Sequence, residues 1–299
     1  MKIIGTGLSG LVGSRIVELL QNKHQFADFS LDSGVDITDE LKLKKAFSQN
    51  QDAKTVIHLA AFTDVNEASK QTNDKNGLCY RINVLGTENV AQLCAKNAKY
   101  LIHISTDFVF DGKKDGAYSE EDQPNPIEWY GQTKLWAEEK IKNSGCRYLI
   151  LRIAFPYKAK AAATNLEPRV KLDLVRNIKE KLENGETIKI FGDQIITPTF
   201  VDDIAQAVNY TFKNQVEGLY HLAGSTSLSP LELARKIAQV FSLDSRLIEE
   251  ISLTEFMKNN PRPRQVKMAL SNKKLESDFG LRMKTIDEAL LEIKKQLVI

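Results

Sequence analysis

The sequence predicts an α/β fold in which helices cover both faces of a parallel β-sheet. In the first half of the chain, short apolar segments alternate with segments of helical length, and the apolar segments are hydrophobic at nearly every position. Strands buried on both faces have this continuous pattern, and parallel strands need crossover connections that are usually helices. A length of 299 residues allows one large domain or one domain with a smaller lobe.

The first half of the chain is predicted to contain five strands and four helices. The strands are KIIGTG, FADFSL, TVIHLAA, YLIHIST and RYLILRI, of which the second is the weakest. The intervening helices are predicted at Leu11–Leu20, Asp39–Ser48, Asn83–Asn97 and from Trp129 onward.

The alternation changes after Ile153, which predicts a second, smaller lobe interleaved with elements that return to the first. We expect residues 1–155 to form the first domain, with later segments near 190–220 returning to it, and residues 156–299 to form most of the lobe. PYKAKAAATNLEP is predicted to be a loop, TIKIFG, ITPTFV and GLYHLAG to be strands, and Asp202 and Asp203 to cap a helix that ends at Phe212. Further helices are predicted at Arg169–Glu183, Ser229–Phe241 and Thr285–Leu297.

The composition argues against several classes of partner. Basic and acidic residues number 41 and 39, a formal net charge of +2, so there is no electrostatic case for binding nucleic acid or an anionic membrane. No apolar run approaches the roughly 20 residues needed to cross a bilayer. Cys79, Cys94 and Cys146 are widely spaced and are expected to be buried free thiols, and no metal ligand set is evident. A strand that begins at residue 2 leaves no room for a signal peptide, so a cytoplasmic protein is expected.

A glycine-rich turn joins the first predicted strand to the first helix. Gly7, Gly10 and Gly13 form a G-x-x-G-x-x-G array. Glycine at such points allows a tight turn, a close approach of the backbone to a pyrophosphate, and close packing of the helix on the strand. The free N–H groups and positive dipole at the helix N-terminus favour phosphate. The array therefore predicts a dinucleotide site, with a purely structural turn as the alternative.

The adenosine end of this site is less clear from the sequence. An acidic residue at the end of the second strand usually binds the ribose 2′-hydroxyl, and Asp28 and Asp32 compete for that place. No basic residue directly follows the strand to bind a 2′-phosphate, although Arg15 could reach it from the helix. The choice between NAD and NADP therefore stays open. Asp36 and Ile37 are expected near the adenine, with a plain turn as the alternative.

The segment WYGQTKLWAEE is predicted to be a helix with Tyr130 and Lys134 one turn apart on the same face. This spacing alone is weak, since a solvated helix face has it equally often. A free phenol has a pKa of about 10, which is high for proton exchange at neutral pH. A nearby ammonium favours the phenolate, so we expect Lys134 to lower the pKa of Tyr130.

Five motifs together resemble the extended short-chain dehydrogenase/reductases. They are the glycine array, HLAAFT at 58–63, NVLGT at 83–87, STDFVFDG at 105–112 and YGQTK at 130–134. Within that superfamily the chain is most similar to the dTDP-4-dehydrorhamnose reductases, including RPRQVKMALSNKKL at 262–275. The resemblance covers nearly the whole chain and implies a Rossmann-type doubly wound parallel sheet with a smaller α/β C-terminal substrate lobe.

The resemblance also implies roles for individual residues. Thr106, Tyr130 and Lys134 would be catalytic: Thr106 would bind the substrate oxygen, Tyr130 would donate a proton to it, and Lys134 would also hold the nicotinamide ribose. Thr106, Asp107 and Phe155 would contact the substrate, with simple packing as the alternative for Phe155. His58 and His103 lie within apolar strands and are expected to be core residues. The cofactor contacts are expected at Gly7, Gly10, Leu11, Val12, Gly13, Asp36, Ile37, Ala60, Ala61, Thr63, Tyr130 and Lys134.

The expected function is NAD(P)H-dependent reduction of the 4-keto group of a nucleotide-activated deoxysugar. The related dehydratases carry an Asp–Glu pair after the catalytic Thr, whereas this chain has Asp107 and Phe108, which argues against a dehydratase. PYKAKAAATNLEP differs from the corresponding stretch of the reductases, so the sequence does not identify the sugar. The alternatives are a sugar-nucleotide epimerase, or a regulatory subunit like the β subunit of methionine adenosyltransferase. Related proteins are often dimers, so a homodimer is one expectation.

Overall fold

The structure, a computed structural model, describes residues 1–159 and 172–297. Its main sheet has six parallel strands in the order β2-β1-β3-β4-β5-β9, which confirms the predicted parallel α/β architecture. The strands are β1 (Lys2–Thr6), β2 (Gln25–Asp28), β3 (Thr55–His58), β4 (Tyr100–Thr106), β5 (Tyr148–Ile153), β6 (Pro156–Tyr157), β7 (Ile188–Phe191), β8 (Thr199–Phe200), β9 (Gly218–Leu222) and β10 (Ile248–Ile251).

Helices connect these strands and cover the sheet. They are α1 (Leu11–Leu20), α2 (Glu40–Ser48), α3 (Val65–Ser69), α4 (Leu78–Tyr80), α5 (Thr87–Lys96), α6 (Trp129–Lys142), α7 (Leu174–Glu183), α8 (Val201–Asn214), α9 (Pro230–Phe241), α10 (Leu253–Lys258), α11 (Lys273–Phe279) and α12 (Ile286–Gln296). A π-helical segment, Arg81–Gly86, joins α4 to α5, and Asp107–Val109 and Ser245–Leu247 form 3-10 turns.

Both faces of the main sheet are buried, as the continuous apolar strands predict. Consecutive residues point to opposite faces: Ile3 packs in a cluster with α1 and α8, whereas Ile4 packs in a separate cluster with α2 and α5. Ile57 and Val56 divide in the same way one strand further on. The free thiols Cys79, Cys94 and Cys146 are buried, as expected.

A smaller region packs beside the main sheet around its own apolar cluster. Two short parallel sheets lie there, one formed by β6 and β8 and the other by β7 and β10. Side chains of α7, α9 and α12 fill the cluster, including Ile178, Leu233 and Leu290. The helix predicted over Ser229–Phe241 is observed as α9, which Ser229 caps in a full capping box with Pro230 in the first turn.

Two local predictions in this region differ from the structure. The predicted loop at 156–168 includes a strand at its start, because Pro156–Tyr157 pairs with Thr199–Phe200. The helix predicted over Arg169–Glu183 begins at Leu174, where Asp173 accepts a hydrogen bond from Arg176 N. The rest of that loop and the first residues of that predicted helix lie outside the described residues.

The expectation that Asp202 and Asp203 cap α8 is wrong. Phe200 occupies the N-cap position without a side-chain hydrogen bond, and both acids lie within the first turn. Their carboxylates instead accept from other elements: Asp202 from Arg15 and Gln296, and Asp203 from Lys284. The two carboxylates therefore pair with charged side chains of α1 and of the segment before α12 instead of capping α8.

The strand order determines where a ligand can bind. The chain passes from β1 to β2 on one side and then to β3 on the other, so the connections at the carboxyl ends of β1 and β3 diverge. Such a switch point leaves a crevice outside the carboxyl ends of the strands. Within the described ranges, no helix is both long and apolar enough to cross a bilayer.

Candidate active site

A cavity of about 670 Å³ lies at this switch point, beyond the carboxyl ends of β1, β3, β4 and β5. It extends from the glycine turn to the N-terminal part of α6. The adenosine-end candidates Asp28 and Arg15 do not line it. All the residues expected to be catalytic or to contact the cofactor or substrate do: Gly7, Gly10, Leu11, Val12, Gly13, Asp36, Ile37, Ala60, Ala61, Thr63, Thr106, Asp107, Tyr130, Lys134 and Phe155. The structure therefore brings the nominated residues together in one place.

The glycine turn is shaped by close contacts of its backbone. Gly7 has a φ of +68°, and a Cβ there would lie 2.5 Å from Ala60 N. A Cβ on Gly13 would lie 2.4 Å from Gly7 O, so α1 packs directly on the turn. Gly10 is the N-cap of α1 without a side-chain cap, and no acidic residue lies in the first turn. The helix N-terminus therefore presents its N–H groups and positive dipole to the cavity, as a pyrophosphate requires.

The structure distinguishes between the candidates for the adenosine end. Ser30, Leu31 and Asp32 line the cavity, whereas the Asp28 carboxylate accepts a hydrogen bond of 2.8 Å from Ser30 Oγ and does not line it. Arg15 is held away from this place by Asp202, to which its Nε and Nη2 each donate over 2.7 Å. The suggestion that Arg15 binds a 2′-phosphate therefore finds no support in its geometry.

The loops after β2 and β3 close the cofactor side of the cavity. Asp36 Oδ1 accepts from Thr38 N and Oγ1, both at 2.8 Å, so this carboxylate also stabilises the turn. The loop that carries Ala60, Ala61 and Thr63 is fixed by a buried amide. Asn83 Oδ1 accepts from Phe62 N at 2.7 Å, and its Nδ2 donates to Phe62 O at 3.2 Å and to Thr133 Oγ1 at 3.0 Å. Asn83 thus joins this loop to α6 within the turn that carries Tyr130 and Lys134.

Tyr130 is half-buried and lines the cavity at the N-terminal end of α6. The following residue, Gly131, allows this placement, because a Cβ there would lie 2.1 Å from Phe108 O. The Phe108 and Tyr130 rings meet edge to face at 5.5 Å. Burial raises the pKa of Tyr130 above its ordinary value, the Asp107 carboxylate adds to the rise, and a hydrogen bond with Thr106 opposes it. The phenol is therefore protonated at neutral pH.

The expected lowering of the Tyr130 pKa by Lys134 is not observed. The Lys134 ammonium instead donates to Ile104 O at 2.8 Å and to His103 Nε2 at 3.0 Å. Burial lowers the pKa of Lys134 to about 8, against the opposing charge of Glu138. Spacing along α6 places the two side chains on one face, as predicted, but the long lysine side chain reaches β4 rather than the phenol oxygen.

Thr106 and Asp107 follow each other at the end of β4. The Thr106 hydroxyl accepts from Phe108 N at 3.3 Å and donates to Asp107 Oδ1 at 3.1 Å. Burial raises the pKa of Asp107 to about 7, and Asp107 Oδ2 is buried without a hydrogen-bond partner among the described residues. A buried oxygen at the cavity wall that lacks a partner is suited to a polar group of a ligand.

Phe155 lies at the far end of the cavity, directly after β5. Its φ of +41° is in the left-handed region, which is unfavourable for a bulky residue. Its ring lies 6.5 Å from that of Phe108. The strained backbone directs an aromatic side chain beside Phe108, which favours a role at the site over simple packing.

The two strand histidines are core residues, as expected, but they differ in their partners. His58 is satisfied on both ring nitrogens by hydroxyls, with Nδ1 2.6 Å from Thr6 Oγ1 and Nε2 2.9 Å from Thr87 Oγ1. His103 is equally buried, and its Nε2 contacts the Lys134 ammonium.

Several lining residues were not singled out by the sequence. Most are next to nominated ones or to a quoted motif, such as Ile82 directly before NVLGT, whereas Val65 begins α3, which no motif marked. The additional residues are Ser9, Phe29, Ser30, Leu31, Val35, Leu59, Val65, Ile82, Ile104, Ser105, Phe108, Ile153 and Pro156. Among the described residues, no group of three or more His, Cys, Asp or Glu side chains is arranged to hold a metal ion.

Comparisons with known proteins give a consistent result. The family described as "RmlD substrate binding domain" matches residues 1–299. A probable low-salt glycan biosynthesis reductase of Haloferax volcanii is 29% identical over 97% of this chain and 96% of its own length. A dTDP-4-dehydrorhamnose reductase of Sinorhizobium fredii is 28% identical over 78% of this chain and 77% of its own length. The crystal structure of dTDP-4-dehydrorhamnose reductase from Bacillus anthracis in complex with NADP has a TM-score of 0.87 and 27% identity, and covers 99% of both chains.

Proposed function

Because this chain belongs to the family of the RmlD substrate binding domain, we propose that it is an NAD(P)H-dependent sugar-nucleotide reductase. The substrate is a nucleotide-activated 4-keto deoxysugar, with a dTDP-4-keto-6-deoxyhexose as the specific proposal. One observation carries this proposal: a single cavity has an uncapped glycine turn at one end and Thr106, Tyr130 and Lys134 at the other. The names of the relatives support the same reaction.

The residues present fit a nicotinamide dinucleotide. The pyrophosphate would lie on the N–H groups of Leu11 and Val12 at the start of α1. The adenosine would lie toward Asp32 and Ile37, and the nicotinamide ribose toward Lys134. When bound, the reduced cofactor supplies a hydride.

The residues of the chain supply the proton and orient the substrate. Tyr130 holds its proton because burial raises the pKa of its phenol, so it is ready to donate that proton to the substrate carbonyl oxygen. The Thr106 hydroxyl would turn its single proton from Asp107 Oδ1 to the same substrate oxygen and give it a second hydrogen bond. Lys134 contributes a positive charge as the phenolate forms, and this charge lowers the cost of proton transfer in the buried site.

The remaining nominated residues would recognise the sugar. Asp107 Oδ2 is buried at the cavity wall and suits a sugar hydroxyl. Phe155 and Phe108 form an aromatic surface on which a sugar ring can lie. We further propose the division anticipated from the sequence: residues 1–155 bind the cofactor, with later segments returning to them, and most of 156–299 shapes the substrate end.

The experiment that tests this function follows the loss of reduced nicotinamide absorbance in the presence of dTDP-4-keto sugars. Tyr130→Phe is expected to lower kcat by roughly 10²- to 10⁴-fold, the contribution of a positioned general acid. Tyr148→Phe is the matched control, because Tyr148 lies at the start of β5 away from the cavity. Turnover by Tyr130→Phe at the wild-type rate would show that the proposed proton donor is wrong.

The same experiment separates the two alternatives. A sugar-nucleotide epimerase recycles its cofactor, so tightly bound cofactor that is never consumed while the sugar is isomerised would favour it. A regulatory subunit would bind the dinucleotide without turnover and would coelute with a synthetase.

A further inference from the structure

The Lys134 ammonium is anchored from behind by two acceptors on the same strand. It donates to Ile104 O at 2.8 Å and to His103 Nε2 at 3.0 Å, and the lysine is 2% exposed. Both acceptors lie on β4, the strand that ends in Thr106. An ammonium has three N–H donors. Two of them face β4, which leaves one for the cavity that Lys134 lines.

This contact determines the tautomer of His103. An ammonium can only donate, so Nε2 of His103 must carry a lone pair and the ring proton must lie on Nδ1. Burial lowers the pKa of His103 well below its usual value, and the charges of Lys134 and His58 act in the same direction. The ring is therefore neutral. His103 Nδ1 is buried without a hydrogen-bond partner among the described residues, as are both ring nitrogens of His221, so it is the contact with Lys134 that distinguishes His103.

The neighbouring histidine, His58, has hydroxyl partners rather than an ammonium. His58 pairs with His103 in the register of β3 and β4, and the two ring centroids are 5.1 Å apart. Thr6 Oγ1 accepts from Ala60 N and lies 2.6 Å from His58 Nδ1. The other nitrogen of His58 lies 2.9 Å from Thr87 Oγ1. Both partners of His58 are hydroxyls, which can donate or accept, so neither contact fixes its tautomer as the ammonium fixes that of His103.

We propose that His103 is a positioning residue for Lys134: together with Ile104 O, its Nε2 fixes the ammonium so that the remaining N–H faces the cofactor and the Tyr130 side of the cavity. This inference rests on the proposed function, in which Lys134 holds the nicotinamide ribose. The groups that face the ammonium are His103 and His58 from the sheet, Glu138 from α6 and Cys79 from α4.

The tautomer gives a test that does not depend on catalysis. Long-range 1H–15N spectra distinguish a proton on Nδ1 from one on Nε2, and the chain has only 4 histidines to assign. Neutral His103 is expected to carry its proton on Nδ1, because its Nε2 accepts from the Lys134 ammonium. In Lys134→Met, the His103 signal should change while that of His221 stays the same. A proton on His103 Nε2 in the wild type would overturn the proposal.

Kinetics test the functional consequence. His103→Leu removes the acceptor, and His103→Gln retains a carbonyl oxygen that can replace it. His221→Leu is the matched control, since His221 is equally buried but lies on β9, two strands from β4. His103→Leu is expected to weaken NADPH binding and lower kcat by roughly tenfold or more, the usual effect of a hydrogen bond to a charged group. The alkaline limb of its pH profile should move to lower pH, because the charged form of Lys134 loses an acceptor.

The variants also separate this inference from the proposed function. Partial recovery in His103→Gln would support positioning, and thermal unfolding identifies any variant that is merely misfolded. Equal losses in His103→Leu and His221→Leu, with unchanged pH profiles, would reduce His103 to a core residue while the reductase proposal stands. If the wild type neither binds NADPH nor reduces a 4-keto sugar, the proposed function fails. The tautomer of His103 still shows whether its Nε2 accepts from Lys134.

Discussion

Two buried clusters of charge lie within one turn of each other on α6, and they differ in how their charges are satisfied. In the first, which we call the closed cluster, Glu138 accepts from Ser105 Oγ at 2.6 Å and from Arg152 Nε and Nη2 at 2.9 and 2.7 Å, so the two charges are paired. Arg152 Nη1 has no hydrogen-bond partner among the described residues, and the guanidinium lies over the Phe110 ring at 5.1 Å. In the second, the open cluster, Lys134 and Asp107 each retain a group at the cavity wall, and burial opposes the charge of both.

The difference separates groups that stabilise the fold from groups that lower its stability in favour of a ligand. Removing one partner of a paired, hydrogen-bonded buried charge is strongly destabilising, because the other charge then stays buried without compensation. A buried charge that is incompletely satisfied costs free energy in the folded protein, and such groups concentrate where ligands bind. Removing a member of the closed cluster should therefore destabilise the chain, and removing one from the open cluster should not.

The largest effect is expected for Glu138→Gln, which leaves Arg152 buried without its counter-charge. Both side chains are at most 2% exposed, so we expect a loss of roughly 3–5 kcal/mol in the free energy of unfolding. Urea denaturation measures it. The double variant Glu138→Leu with Arg152→Met should recover most of the loss, since it removes both charges. If the single variant is as stable as the wild type, the closed cluster does not have the role assigned here.

Asp107→Asn should have the opposite sign. Burial raises the pKa of Asp107 from its reference value of 3.8 to about 7 in the folded state, so folding favours the protonated carboxyl. The wild type therefore loses stability as the pH rises from about 4 to about 7, and the asparagine variant lacks this loss. The variant should be more stable than the wild type at neutral pH by roughly 2–4 kcal/mol, and nearly equal to it in acid.

Chemical denaturation of both proteins across this pH range gives the difference directly, because other titrating groups are common to the two. Asp107→Glu is the control that retains the charge. A constant difference between wild type and Asp107→Asn at all pH values would contradict the raised pKa. The variant should also bind the sugar nucleotide more weakly, since it loses the carboxyl group proposed to contact it.

The sequence predicted the main sheet, and it selected residues that line one cavity, because both signals are local. Continuous apolar strands indicate burial on both faces of the sheet. The glycines at 7, 10 and 13 indicate a turn, and at Gly7 and Gly13 a side chain would clash with the backbone. The helical spacing of Tyr130 and Lys134 correctly places both side chains at one cavity. Each of these signals depends on residues within a few positions of one another.

The features that the sequence missed depend on contacts between distant parts of the chain. The two-residue strand Pro156–Tyr157 exists because Thr199–Phe200 lies beside it, and β10 exists because it pairs with β7. Aspartate often caps helices, but Asp202 and Asp203 form ion pairs with Arg15 and Lys284 instead. The hydrogen-bond partners of the Lys134 ammonium were missed for the same reason, since His103 and Ile104 are about 30 residues away in sequence.

The smallest effect, and the sharpest test of the distinction, is expected at Arg15. This residue lies on α1 next to the glycine turn, but its charge is paired with carboxylates, as the charges of the closed cluster are. Its guanidinium is 11% exposed and donates to Asp202 and Glu18, contacts that raise its pKa above the ordinary value. Arg15→Gln should lower the free energy of unfolding by about 1–2 kcal/mol, between the values for exposed and buried pairs.

The same variant should leave the ratio of the NADPH and NADH dissociation constants within about twofold of the wild-type ratio, because a paired guanidinium is not available to a 2′-phosphate. Fluorescence titration with both cofactors measures this ratio, and Arg15→Lys, which keeps the charge, is the control. A shift of tenfold or more toward NADH in Arg15→Gln alone would mean that the ion pair with Asp202 opens when the cofactor binds. A saturated ion pair beside the cavity would then not be a reliable sign of a structural role, and the distinction between closed and open clusters would hold only for charges as deeply buried as Glu138 and Arg152.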